Sequence, residues 1–201
     1  MESPAAARAY SRRAQEYADL FGAISATADP DRELIGNWAA GLSGRLLDVG
    51  CGPGQWTGWL HGRGIDIEGV DPAPEFVAIS KDRHPQVRFS VGRAERLEVR
   101  DASLGGILAW YSLIHIEPAR IGAVLAEFAR AIQPNGGLCL GFCEGPELAS
   151  FEHAVTTAYF WPVPRLISLL ERAGFKIVRI ETRSDAGVRP HGAIVASRGG
   201  S

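Results

Sequence analysis

Asp48, Gly50, Gly52, Gly54 and Asp71 are the residues of this 201-residue chain whose types and spacing point most directly to chemistry. An apolar run, Leu46-Leu47, leads into Asp48-Val49 and then breaks into glycines at alternate positions, Gly50-Cys51-Gly52-Pro53-Gly54. A buried parallel strand turns tightly beneath a nucleotide-like ligand in this way, and residues without a Cβ let the ligand approach the backbone. Asp71 follows 21 residues after Gly50 and closes a second apolar run, Ile65 to Val70. Both acids are therefore expected at the carboxyl edge of one sheet, where open α/β sheets bind ligands. An ionised carboxylate offers two acceptor oxygens in one plane, which suits a pair of hydroxyl groups. His115 stands shortly past the end of the apolar strand segment 105–110. With an ordinary pKa of about 6.5 it is a candidate general base, with Glu117 and Glu144 as rivals.

The elements that must position these residues alternate between strand and helix signals, the pattern of a parallel sheet covered on both faces. Strands are predicted at 45–49, 66–70, 87–91, 105–110, 137–143, 175–182 and 191–197, each rich in Ile, Val, Leu or Phe. A helix is predicted over 118–132, where Ile121, Val124, Leu125, Phe128 and Ile132 recur on one face and Pro118 suits the first turn. Asn135-Gly136-Gly137 reads as the turn that follows it. Further helices are predicted at 163–173, at 55–61 and at 29–40, the last with Asp29 as its cap and Leu34, Ile35 and Trp38 inward. Residues 5–20 also read as helical. Only a short turn around Asp185-Ala186-Gly187 separates the last two strands, so these are expected to be antiparallel.

Size and composition bound the rest. The length fits one domain, a helical lead-in over 1–40 followed by a core over 41–201. Charged residues make up 22% and the net charge is −2, with no dense Lys/Arg block, so no footprint for nucleic acid is expected. The longest apolar stretch, Ile107 to Ile116, contains His115 and is about half of the roughly 20 residues a membrane-spanning helix needs. Residues 1–25 carry Arg8, Arg12, Arg13, Glu16 and Asp19 and no apolar leader, which leads to the expectation of a cytoplasmic protein that does not engage a membrane. Three cysteines without a CxxC pair suggest neither a disulfide framework nor a metal site; Cys139 and Cys143 read as core residues. Whether the chain is a monomer or a homodimer is not legible.

At "LLDVGCGPG" and "GVDPAPEFVAISK" the sequence resembles the class I S-adenosylmethionine-dependent methyltransferases. The resemblance implies an α/β fold: a Rossmann-like, doubly wound, seven-stranded and mostly parallel sheet with an antiparallel last strand inserted between the fifth and sixth, and helices on both faces. It implies S-adenosylmethionine as cofactor and no metal. Gly50, Cys51, Gly52 and Gly54 would then border the methionine portion, Asp48 would stabilise the cation or fix the loop, and Asp71 would take the ribose hydroxyls, with Pro72 and Phe76 packing beside adenine or ribose. "FSVGRAERL" is similar to the segment where the family commonly carries an acid for the adenine amine; here Arg93 stands in that place. Arginine has donors only, so the contact would shift toward Ala94 or Glu95. "AYSRRAQEYADLFG" resembles the lead-in of small bacterial members, which would bring Tyr10 to the methionine carboxylate. Backbone near Ala109 and Trp110 would meet the cofactor as well.

Methyl transfer from a sulfonium is a direct displacement and needs alignment and exclusion of water more than a fixed catalytic triad. Tyr111, His115, Glu144, Tyr159 and Trp161 are the residues expected to line the acceptor pocket, together with Trp110 and Phe160. The family's amino-methyltransferase motif is missing after the fourth strand, where Ala109-Trp110-Tyr111-Ser112 stands, and so is the proline-cysteine nucleophile of cytosine-5 enzymes. Both omissions favour a small-molecule acceptor. One rival reading is a nicotinamide-dependent oxidoreductase, whose fingerprint needs a third glycine where Gln55 stands. Another is a binding module that keeps the cofactor site without turnover, suggested by the short loops expected after strands five and six.

Overall fold

A computed structural model describes residues 14–16, 18–19, 22–153, 156–184 and 187–200. After a 3-10 turn at Ile24–Ala26 the elements run α1 (Asp29–Ala40), β1 (Leu46–Val49), α2 (Gln55–His61), β2 (Ile67–Asp71), α3 (Pro74–Arg83), β3 (Phe89–Val91), β4 (Leu104–Trp110), α4 (Ile121–Ala131), β5 (Ile132–Cys143), β6 (Ala149–Glu152), β7 (Thr157–Phe160), α5 (Val163–Arg172), β8 (Phe175–Arg183) and β9 (His191–Arg198). Seven strands form one sheet in the order β3-β2-β1-β4-β5-β9-β8. All pairings are parallel except those of β9, which runs antiparallel between β5 and β8. The order reverses direction at β1 and β4, the crevice in which doubly wound sheets take their ligands.

Alternation along the central strands explains the two covered faces. Ile107 and Ala109 of β4 and Leu138 and Leu140 of β5 face α4 and α5, where Val124, Leu125, Phe128, Leu166 and Leu170 are buried. Leu108 and Cys139, one residue out of phase, face Ile35 and Trp38 of α1 and Trp56 and Leu60 of α2. Central strands buried on both sides read as unbroken apolar runs, which makes them legible in the sequence.

The structure departs from the sequence expectations in four places. Asp29 is not the cap of α1: Ala28 holds that position, and Asp29 sits in the first turn paired with Arg32. Pro118 lies in a turn ahead of α4, which begins at Ile121. Asn135-Gly136-Gly137 does not precede β5 but is carried within it, as an irregularity opposite Leu104 and Gly106, with Asn135 at φ 64°. Finally, a two-stranded hairpin, β6–β7, occupies the segment after β5 that read as short connecting loop. Phe151 stacks on Phe160 across it at 4.2 Å, and the Tyr159 N–H donates to the Ile114 carbonyl at 3.0 Å, which ties the hairpin to the loop after β4. Of the lead-in helix expected over 5–20, the described residues 14–16 and 18–19 are helical, with Ala14 packed on Ala73 and Phe76. Tyr10, Ser11, Tyr17 and the turn residues Asp185 and Ala186 lie outside the described residues.

Candidate functional site

The parallel register of β1 with β2 pairs Asp48 with Gly69 and Val49 with Val70, so Asp48 and Asp71 reach the same carboxyl edge two residues apart. There they border one cleft, lined also by Val49 to Pro53, Gln55, Trp56, Pro72, Ala73, Phe76, Gly92, Ala94 and Trp110 to Leu113, with His115 at its side. Asp71 is held by two backbone donors, the Gly52 N–H on Oδ2 at 2.9 Å and the Ala73 N–H on Oδ1 at 2.8 Å. The carboxylate thereby clamps the glycine turn to the end of β2, and each oxygen keeps a second lone pair for a ligand. Burial raises its pKa to about 6, and the two N–H bonds work against that rise. Asp48 is buried below it and accepts from the Thr57 hydroxyl at 2.6 Å. Burial lifts its pKa to about 7, with the charge of Asp71 adding to the rise and the Thr57 bond opposing it.

The three glycines of the turn all adopt positive φ, 75°, 54° and 83°, yet they answer to different neighbours. A Cβ on Gly50 would lie 2.2 Å from the Ser112 Cβ, and one on Gly54 would press on Phe89, Ser80 and His84 at 3.0–3.2 Å. Both are packing requirements of the protein itself. A Cβ on Gly52 would meet none of the described residues within 4 Å, so this is the glycine whose bare face opens on the cleft. Beside it, Gln55 Oε1 and Ser112 Oγ are buried in the cleft wall and make no hydrogen bond with the described residues. Buried polar atoms normally have partners, so two orphans on one wall mark a surface shaped for a polar ligand. Gln55, Trp56, Gly92 and Ser112 were not singled out from the sequence. An orphaned acceptor is a property of packing, and only the adjacency of Gln55 to Gly54 hinted at it.

Asp48, Gly50, Cys51, Gly52, Asp71, Pro72, Phe76, Ala94, Trp110, Tyr111 and His115 thus converge on the cleft. Others named from the sequence do not. Gly54 and Ala109 are packed behind it. Arg93 lies in a separate groove with Arg45 and Glu68, and Glu95 is paired with Arg120 at 2.9 Å, so of the three-residue adenine segment only Ala94 reaches the cleft wall. The reason is local: Arg93 and Arg96 form a backbone bridge that turns both away. Trp161 is buried in the main core, Glu144 is engaged through backbone pairing with Trp161 and Pro190, and Tyr159 is on the hairpin. None of these three borders the cleft or the larger pocket beside it, although Trp110 and Tyr111 border both. His115 Nδ1 donates to the Thr157 carbonyl at 2.8 Å, which leaves Nε2 as the basic nitrogen. Burial lowers its pKa, with the Thr157 bond opposing, so the ring is neutral at pH 7.

Residues 46–136 match the family model described as a methyltransferase domain. Over that stretch, which holds the glycine turn, Asp71 and β4, the chain is similar to a methyltransferase domain. An uncharacterized methyltransferase of Mycobacterium tuberculosis is 35% identical over 96 residues, 48% of this chain and 38% of that protein. The chain thus spans well under half the length of such curated relatives. Among solved structures, the methyltransferase fold superposes on a Burkholderia thailandensis 1,6-didemethyltoxoflavin-N1-methyltransferase with a TM-score of 0.71 at 20% identity, covering 98% of this chain and 92% of that one. A [4+2]-cyclase gives 0.78 at 18% identity, covering 97% and 95%. At these identities the likeness is one of fold. Within that fold the glycine turn and Asp71 occupy the edge predicted for them.

Proposed function

We propose that the protein transfers a methyl group from S-adenosylmethionine to a small-molecule acceptor. The observation that carries this reading is the clamp at the glycine turn: Asp71 tied to Gly52 and Ala73, the open face of Gly52, and the unpaired acceptors of Gln55 and Ser112 on one wall of a methyltransferase domain. These residues fit the cofactor. The remaining lone pairs of Asp71 suit ribose hydroxyls, Gly52 with Gln55 and Ser112 would border the methionine portion, and Pro72, Phe76 and Ala94 offer packing for adenine. When bound, the cofactor supplies an electrophilic methyl on a sulfonium. The chain's own part is to orient and to exclude water: Trp56 and Trp110 meet edge to face at 6.0 Å where the cleft opens toward the neighbouring pocket. His115, neutral and beside the cleft, is the base that the sequence nominates.

The same fold occurs in a protein described as a [4+2]-cyclase, so binding and transfer need separate tests. Calorimetry with S-adenosylhomocysteine and with NAD distinguishes the cofactor classes, and Gln55 in place of a third glycine argues against NAD. Release of label from methyl-labelled cofactor across a metabolite panel tests turnover. Tight binding of NAD without S-adenosylhomocysteine overturns the cofactor assignment, and cofactor binding without transfer to any acceptor leaves a binding module.

A further inference from the structure

We infer that Tyr111, His191 and Asp31 form a proton relay in the wall of the larger pocket beside the cleft, and that this pocket takes a phenolic or enolic hydroxyl compound. The inference deepens the methyl-transfer reading and rests on it. The pocket has a volume of about 890 Å³, within the range of small-molecule sites, and shares Gln55, Trp56, Trp110 and Tyr111 with the cleft. An acceptor seated there therefore lies next to whatever occupies the cleft.

Four elements bring the relay together. Tyr111 follows β4 with φ 56°, a left-handed conformation that non-glycine residues rarely adopt. Its hydroxyl pairs with Nδ1 of His191, the first residue of β9, and donates to it in the tautomer that carries its proton on Nε2, toward Asp31. Nε2 of the same ring lies 3.7 Å from Asp31 Oδ1 on α1, and Arg183, at the end of β8, donates to that oxygen at 2.9 Å. His191 and Asp31 are 4% and 8% exposed. The Trp110 and Tyr111 rings flank the imidazole at 5.4 and 5.5 Å. Asp31 also lines the pocket, so the relay is open to it at both ends.

The groups facing the imidazole decide the substrate class. Asp31 faces it from α1, Arg183 stands behind Asp31 on β8, Cys143 is its cross-strand neighbour on β5, and Arg189 and His153 look across the pocket. Two guanidiniums against one carboxylate repel a protonated amine and favour negative charge developing on oxygen. Burial pushes the Tyr111 phenol up from its ordinary pKa, so Tyr111 stays protonated and passes a proton on without losing one overall. As the substrate O–H bond breaks, its proton moves to the Tyr111 oxygen while the proton already on Tyr111 crosses to His191 Nδ1. The bonding pair stays on the substrate oxygen, and the imidazolium charge is balanced by Asp31. The imidazolium later returns its proton to solvent. Tyr111 is the residue that touches the substrate; His191, Asp31 and Arg183 position and support it.

The test uses 4-nitrophenol, whose anion absorbs visible light and whose neutral form does not. The full chain is titrated with this probe below the probe's own midpoint, with and without S-adenosylhomocysteine. The bound probe should carry the phenolate band, with severalfold more anion than the free probe, because the Tyr111 hydroxyl donates to the phenolate and the imidazolium formed behind it favours negative charge there. Tyr111→Phe keeps the ring and should retain probe binding while losing the band, and His191→Gln should lose it as well. Thermal melts of both variants confirm folding, and Tyr111→Phe suffices should His191→Gln not fold. A bound probe that stays neutral, a band that persists in both variants, or no probe binding overturns the relay. Calorimetry with S-adenosylhomocysteine on the same samples keeps the readings apart: cofactor bound beside a neutral probe sinks the relay alone, and no cofactor bound sinks the methyl-transfer reading beneath it.

Discussion

Asp71 does two jobs with one carboxylate, and its substitution separates them. Each oxygen accepts one backbone N–H, from Gly52 and from Ala73, and a ligand can use only the lone pairs that remain. Asp71→Asn leaves one acceptor oxygen and sets an amide N–H against one of the two backbone donors. The turn loosens and one ligand acceptor is lost. We expect S-adenosylhomocysteine affinity to fall by about 1.5–3 kcal/mol, roughly tenfold to 150-fold, the range for hydrogen bonds to a charged group. Isothermal calorimetry reads this directly, and an unchanged dissociation constant removes Asp71 from the cofactor site. Asp71→Ala would strip both backbone bonds and mix a folding defect into the result. The position of Asp71 was legible from the sequence because an acid closing an apolar run marks a strand end. Its two backbone partners were not, since Gly52 is 19 residues away and joins it only through the pairing of β1 with β2.

At the scale of elements, the turn between β1 and α2 shows how one motif carries unlike constraints. Gly50 and Gly52 both have positive φ, but only Gly50 has a neighbour in the way: the Ser112 Cβ would lie 2.2 Å from an added methyl and cannot give way without moving the loop after β4. Gly50→Ala should therefore destabilise the fold by several kcal/mol, from backbone strain and overpacking together, each worth about 1–3 kcal/mol. Gly52→Ala meets no atom of the described residues, bears only the strain of its φ of 54°, and should fold with about 1 kcal/mol of loss while its methyl projects into the cleft. Urea denaturation of the two variants, followed by cofactor titration of Gly52→Ala, checks the distinction. Equal destabilisation, or undiminished cofactor affinity in Gly52→Ala, contradicts it. The spacing of the glycines announced the turn, whereas which glycine serves packing and which opens on the cleft depended on where β4 delivers Ser112. The same limit applies elsewhere. Central strands were readable as apolar runs, but β6 and β7 are four residues each, with aromatic side chains that pack on one another, and their pattern is indistinguishable from a pocket lining until the partner strand is known. Arg93 and Glu95 were read by position within a family segment, and a local bridge decided their direction instead.

For the whole molecule, the topology places two carboxylates, Asp48 and Asp71, inside one sheet edge with pKa values raised to about 7 and about 6. A raised acid binds its proton more tightly in the folded chain than in the unfolded one, so the folded chain is the better proton binder between pH about 4 and 7. Stability contributed by these groups is complete below the unfolded value and is lost as pH rises through the folded value. The buried histidines act oppositely: His115 and His153 have lowered pKa values, and their contribution is present above the ordinary histidine range and lost as pH falls. The overall curve sums both trends, so the carboxylate part is isolated by a difference. Asp48→Asn preserves the acceptor for Thr57 and removes only the titration. Below about pH 4 the variant and the natural chain should have similar stability. Between pH about 4 and 7 the variant should gain steadily, by up to about 4 kcal/mol at about 1.4 kcal/mol per unit of pKa, and the gain should level off above that. Urea midpoints measured across that range decide the matter: parallel curves would mean that Asp48 ionises without cost, and that the edge holding the glycine turn is far more open to water than its packing describes.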